Sequence, residues 1–550
     1  MRVASSLPSA SPLGAPAWAR RAPSLARSGS ARALARVWAL AIAAIACGPG
    51  TGPSQPAAGA STPRSPTTIE IDAPPAVEIA GSTGDEAPAA TPALVVDPTI
   101  RWIAAGGGST PESNQHSIEQ DLALAAEVFG GGGLILFAGG PGSEGVQVQD
   151  PAPRGDPVLA ALAELFAPRG GRDAHYRRTT LDAAGPASAD EVLGALRGAL
   201  AGPGAGPLIF YIAGHGDIGE SPRDNAVGLW GQGALRVHEL AEVVDAGARP
   251  LALVVTTCFS GGFAELAFAG ADPRQGAAPG DRCGLFAATW DLEASGCDPS
   301  PDRRAHEGYG IHFLHALRGE DREGAPLPTG SIDLDGDGVV TLLEAHTRAR
   351  IAGAGLDVPT TTSERWLREV APGEGPLAPW PTPEDDAVVA HLGVALGIAG
   401  RPDAARTELE RIEAEIDGRN DALVAAQADE DAAYRRAAAT ILSRWPVLDD
   451  PWHPDFSDMF ARQRGAIAEH LERDPALVAY REARAAVDHL HLEIGDLRGS
   501  AARYERLARA QESRLLAGRL ARRGGPEWAH YRRLLACERT PWPAPRRTPP

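Results

Sequence analysis

Two stretches of this 550-residue chain end on side chains capable of nucleophilic chemistry. The first reads Pro-Leu-Ile-Phe-Tyr-Ile-Ala-Gly and then His215-Gly216. The second reads Pro-Leu-Ala-Leu-Val-Val-Thr-Thr and then Cys258-Phe-Ser-Gly-Gly-Phe263. A thiol attacks as its thiolate, and a nearby imidazole raises the thiolate fraction, so the two together would make a cysteine nucleophile with its base. Either residue alone is more often a packing residue; it is their shared context that points to chemistry. A second constellation is Asp333-Leu-Asp335-Gly-Asp337-Gly338-Val339-Val-Thr341-Leu-Leu-Glu344, which satisfies the calcium-loop pattern at every position. Asp333, Asp335 and Asp337 would offer hard oxygens, Gly338 the sharp turn and Val339 its carbonyl. Thr341 would act through water and Glu344 as a closing bidentate carboxylate, the donor set of a Ca2+ site. The bland reading is an acidic surface turn.

The elements that must position these groups follow from hydrophobic patterning. Both apolar runs are short, β-branched or aromatic, and bounded by Gly or Pro, as buried parallel strands are. Ala234 to Ala246 carries helical spacing, with Leu235, Val237, Leu240, Val243 and Val244 apolar. Strand, helix, strand implies a parallel crossover that would bring His215 and Cys258 to one carboxyl edge of a sheet, where open α/β folds place their sites. Further strands are expected over Ile100 to Ala105, Leu134 to Ala138 and Gly284 to Thr289. Helices are expected over Ile118 to Phe129, Glu191 to Leu200, Tyr309 to Leu317 and Leu342 to Ile351. This alternation predicts an α/β, doubly wound domain of about five or six strands spanning residues 99–371. The calcium loop at 333–344 has an exiting helix, but Pro326, Pro328 and Gly330 break the side where an entering one would stand.

Upstream, residues 1–46 carry six arginines and then the apolar run Val37 to Ala46, the pattern of a signal peptide. Cys47 follows Ala-Ile-Ala directly, so it is a candidate for lipidation at a lipobox. Residues 47–98 are rich in Pro, Ala, Gly, Ser and Thr and read as a flexible tether. Downstream, 372–383 reads as a Pro-rich linker, 384–540 as an all-α domain and 541–550 as a disordered tail. Leu409, Ile412, Ile416 and Leu423 form one apolar seam; Val487, Leu490, Ile494, Leu497, Ala501 and Tyr504 form another. Two seams separated by the Pro- and aromatic-rich stretch from Trp445 to Phe456 predict a helical hairpin or bundle. The seams suit an intramolecular core, an oligomer interface or a partner helix equally. A formal charge of −19 argues against nucleic acid as a partner. Of the remaining cysteines, Cys283 and Cys297 could pair with each other or stay as separate thiols, and Cys537 has no obvious partner.

Gly214-His215-Gly216 followed, forty-three residues after the histidine, by Cys258-Phe259-Ser260-Gly261-Gly262 resembles the caspase-like clan of cysteine peptidases, and looks most like metacaspases and legumains. A calcium-type loop late in such a domain looks like bacterial caspase-like proteins. The resemblance implies a caspase-like sheet domain acting on protein or peptide substrates. It implies that Cys258 is the nucleophile, His215 the general base or acid, and the N–H groups of Gly216 and Cys258 the oxyanion hole. Gly216, Gly261 and Gly262 would let substrate approach the backbone closely. Metacaspases and legumains carry an acid two positions before the nucleophile; here that position is Thr256, so their substrate preference does not carry over. With the signal segment and Cys47, the expectation is an extracytoplasmic, membrane-anchored lipoprotein, in the periplasm or at the cell surface, with cysteine endopeptidase activity. The rival is a non-catalytic calcium-binding lipoprotein that uses a peptidase-like fold as scaffold.

Overall fold

The computed structural model describes residues 96–542, apart from residues 98, 151–154, 168–172, 203, 205 and 376–377. The expected signal segment, Cys47 and most of the tether lie outside the described residues. The chain first builds β1 (Trp102–Gly107), α1 (His116–Phe129), β2 (Gly133–Phe137), β3 (Val146–Gln149), α2 (Pro157–Phe166), β4 (Ala174–Arg177) and α3 (Ala189–Leu200). It continues through β5 (Leu208–Gly214), β6 (Gly216–Asp217), β7 (Ala226–Leu229), β8 (Gly233–Arg236), α4 (Val237–Ala246), β9 (Leu251–Val255) and β10 (Arg282–Phe286). Then come α5 (Tyr309–Leu317), α6 (Leu342–Ala352), β11 (Thr360–Thr361) and α7 (Thr362–Val370). Five helices close the chain: α8 (Pro383–Ala395), α9 (Ala404–Arg444), α10 (Phe456–Arg473), α11 (Pro475–Arg523) and α12 (Gly525–Glu538).

The central sheet has the order β11-β10-β9-β5-β1-β2, parallel throughout except for β11 against β10. Its strands alternate between two cores. Ala104, Tyr211 and Val254 join the core under α1, α5 and α6. Ile103, Phe210 and Val255 join the core under α3 and α4. Burial on both faces is why these strands read as unbroken apolar runs. Since β2 and β5 lie on opposite sides of β1, the strand order reverses there, and sites in open α/β sheets form beside such a reversal.

Four expectations need correction. The helix expected from Ala234 begins at Val237, because Gly233–Arg236 pairs with β7 in a three-stranded antiparallel meander; a four-residue apolar-polar run fits either period. Cys537 does have a partner, and Cys283 does not pair with Cys297: the disulfide is Cys283–Cys537, with Cα atoms 5.8 Å apart. The helical region is not set apart from the sheet, since Ala517, Leu520, Tyr531 and Leu534 share a core with Phe268 and Trp366. Nor does disorder begin at residue 541: Trp542 is buried, with its ring 5.0 Å from that of Phe129.

The two apolar seams meet each other. Leu423 packs with Val487 and Ile494, while Ala437 and Ile441 pack with Leu477 and Tyr480, and Ala405 packs with Leu507 and Ala510. Residue numbers rise along α9 as they fall along α11, so the pair is an antiparallel hairpin with an internal core. Among the described residues, no helix is long and apolar enough to cross a membrane.

Candidate active site

β5 and β9 are paired neighbours, with Ile212 opposite Val255. His215 and Cys258 each lie three residues beyond that pair, at the same carboxyl edge. The approach is close: a Cβ placed on Gly216 would lie 1.9 Å from the carbonyl oxygen of Cys258. Glycine is therefore required at 216 by the backbone of Cys258, whatever a substrate would ask of it. Gly261 and Gly262 are likewise taken up inside the protein. A Cβ on Gly261 would meet the Ala288 carbonyl at 2.7 Å, and one on Gly262 the Pro222 carbonyl at 2.6 Å.

The chain leaves β9 through a sharp turn. Phe259, directly after Cys258, adopts φ +56°, the left-handed region that a bulky residue avoids. It is held there by its N–H on the Leu292 carbonyl at 2.8 Å and by the Asn225 amide on its own carbonyl at 2.9 Å. Strain held in this way is common at functional turns. The Cys258 thiol, partly exposed, sits against the loop that follows β10: the Ala294 N–H points to Sγ at 3.3 Å, and the Ala294 carbonyl lies at 3.5 Å.

The imidazole of His215 is oriented from the start of α1. Its Nε2 lies 2.9 Å from the Ser113 carbonyl and 2.7 Å from Gln115 Oε1. Both are acceptors, so Nε2 carries the hydrogen and Nδ1 is the basic nitrogen. Neither Ser113 nor Gln115 has a signal in the sequence, because each meets the histidine across about a hundred residues.

A cleft opens beside this edge, lined by Gly214, Thr256, Ser117, Asp121, Cys297 and Glu307. Cys297 remains a free thiol, with Sγ 3.6 Å from the Gly214 carbonyl. Thr256 spends its hydroxyl on the Ile212 carbonyl at 3.2 Å. The cleft also takes in Asp121 of α1, an acid that sequence reasoning missed. Burial pushes the Asp121 carboxyl above its ordinary range, against the pull of Arg303 at 3.3 Å. Asp217 and Glu220, the acids next to the histidine in sequence, are exposed.

In the loop from Asp333 to Glu344, oxygens of Asp333, Asp335 and Asp337 lie within 4.8 Å of one another. Asp333 accepts from the N–H groups of Gly336 and Gly338 at 2.9 and 3.0 Å, and Gly338 has φ +83°. Three carboxylates so close repel one another unless a cation sits among them, and oxygen donors suit a hard one. Glu344 stands apart from this group. Its carboxylate accepts from the Thr341 N–H and hydroxyl, both at 2.9 Å, and from the Leu334 N–H at 2.7 Å, capping α6. The loop is also tied to the end of the chain, where the Trp542 N–H meets the Val340 carbonyl at 3.2 Å.

No protein-family model matches the chain, and no curated protein matches it. The site therefore rests on its own geometry and chemistry.

Proposed function

We propose that this protein is a caspase-like cysteine endopeptidase acting outside the cytoplasm, with Cys258 as nucleophile and His215 as its proton partner. The observation that carries the reading is the delivery of both side chains, by paired parallel strands, to one sheet edge, with the imidazole oriented through Nε2. Nδ1 of His215 takes the thiol proton, and the Cys258 thiolate attacks the scissile carbonyl carbon. The resulting oxyanion is stabilised by the N–H groups of Gly216 and Cys258. Collapse of this intermediate expels the amine, which takes the proton from His215, and leaves a thioester that water then hydrolyses. The Cys283–Cys537 disulfide supports an oxidising compartment, in keeping with a signal segment and a lipid anchor at Cys47.

The decisive experiment is a peptide-library cleavage assay. Wild type is expected to cleave and Cys258→Ala to be inactive, with His215→Ala strongly impaired. Equal cleavage by wild type and Cys258→Ala would remove Cys258 as the nucleophile, and none by either would leave the non-catalytic scaffold as the better reading.

The acidic loop is proposed to bind Ca2+ through Asp333, Asp335 and Asp337, with the Val339 carbonyl as a further donor. Glu344 and Thr341 would join only by giving up part of the cap on α6. Calcium is expected to raise the melting temperature of the wild type but not of an Asp335→Asn/Asp337→Asn double variant. A chelator without effect on wild type would rule the site out.

A further inference from the structure

The thiol of Cys258 is held by the Ala294 N–H, and that loop is in turn held by the helical region. The Ser295 N–H, next in the chain, donates to Asp357 Oδ1 at 2.7 Å, and the Leu356 N–H donates to Ser295 Oγ at 3.1 Å. The segment around Asp357 is clamped by Arg506 of α11. Its Nε reaches the Asp357 carbonyl at 2.7 Å, and its Nη atoms reach the Gly353 carbonyl at 2.7 Å and the Gly355 carbonyl at 2.9 Å. Arg506 is fully buried. A second strut joins Arg498, two turns earlier on α11, to Glu293 at 3.4 Å, immediately before Ala294.

We propose that Asp357, clamped by Arg506, is a positioning residue for the nucleophile: it fixes the Ser295 peptide so that the neighbouring Ala294 N–H points at Cys258 Sγ and stabilises the thiolate. This rests on the reading of Cys258 as nucleophile and adds to it a third backbone donor, aimed at sulfur at 3.3 Å; the Ala294 carbonyl at 3.5 Å accepts from the neutral thiol, so the thiolate keeps only the N–H of this pair. A hydrogen bond donated to the charged form favours that form, so losing the donor must raise the pH at which the thiol becomes reactive. The Asp357 side chain is buried and acts through Oδ1, its Oδ2 making no hydrogen bond among the described residues. Burial pushes the Asp357 carboxyl up to about 6. The charged groups around it are Arg506, Glu307 and His312, while His215, Glu293 and Arg498 stand on the elements around the thiol; the two Asp357 variants replace none of these.

The test is the pH dependence of Cys258 alkylation by iodoacetamide on the full-length protein, resolved by peptide mass spectrometry. Wild type is expected to show a midpoint well below that of an ordinary thiol. Asp357→Ala should move it up by about one unit, and Asp357→Asn, which keeps an oxygen acceptor, should restore most of the shift. An ordinary wild-type midpoint, or an unchanged midpoint in folded Asp357→Ala, overturns the proposal. If Asp357→Ala does not fold, Arg498→Ala decides. It frees the loop at its other strut and should slow alkylation near neutral pH about threefold; an unchanged rate overturns the proposal. Peptide cleavage compared with Cys258→Ala tests the peptidase reading separately, so failure of one is distinguishable from failure of the other.

Discussion

A glycine and an imidazole tautomer set the character of the site. Gly216 has no room for a side chain, because the Cys258 carbonyl occupies the place a Cβ would take. Gly216→Ala is therefore expected to displace the Cys258 backbone and to abolish the proposed cleavage, while costing only about 1–3 kcal/mol of stability, the usual range for overpacking. Cleavage assays beside thermal unfolding check this; wild-type activity in the variant would show that the contact is not needed. His215 was legible as a candidate from its place at the end of a strand. The choice of Nδ1 as its basic nitrogen was not, since Ser113 and Gln115 reach it only once α1 packs beside β5. Thr256 was legible as a departure from the pattern it resembles, and the acid that lines the cleft, Asp121, comes from a helix with no motif.

Between elements, packing is reinforced by charge buried where helices meet. Glu364 at the start of α7 faces Arg368, Arg509 and Arg350. Burial by itself pushes its carboxyl up, but the three guanidinium groups outweigh that and hold it at about 2. The Glu119 carboxyl of α1 is also held at about 2: burial raises it, and donors from His116, Arg177, Thr179 and Thr180 more than compensate. Both folded values lie below those of the unfolded chain. Their stabilisation is thus fully present above about pH 4.5 and is lost as pH falls toward about 2. Denaturation curves between pH 5 and pH 2 should show this loss, and Glu364→Gln should flatten it; an unchanged slope in the variant would refute the assignment. The strands and long helices were legible because their periods recur over many residues. The β6–β8 meander and α7 were not, because a few residues fit either period and only pairing partners decide.

At the scale of the whole molecule, the chain is closed on itself. Cys283 in β10 and Cys537 in α12 are 254 residues apart in sequence, so the bond removes a large closure entropy from the unfolded chain, worth about 5–6 kcal/mol in the chain-entropy view. Reduction, or a Cys283→Ala/Cys537→Ala double variant, should lower the melting temperature markedly; identical melting with and without reductant would argue against the pairing. By itself, the amino-acid sequence determined the β-α alternation, the placement of His215 and Cys258 at strand ends, the acidic loop and two helical seams. Each of these is written in local spacing and residue type. Only the tertiary structure decided that the seams face each other, that Cys283 chooses Cys537 over Cys297, and that Asp121, Asp357 and Ala294 stand around the reactive edge. Those outcomes depend on contacts between residues tens to hundreds of positions apart, which no local pattern encodes and which exist only when the layers have packed.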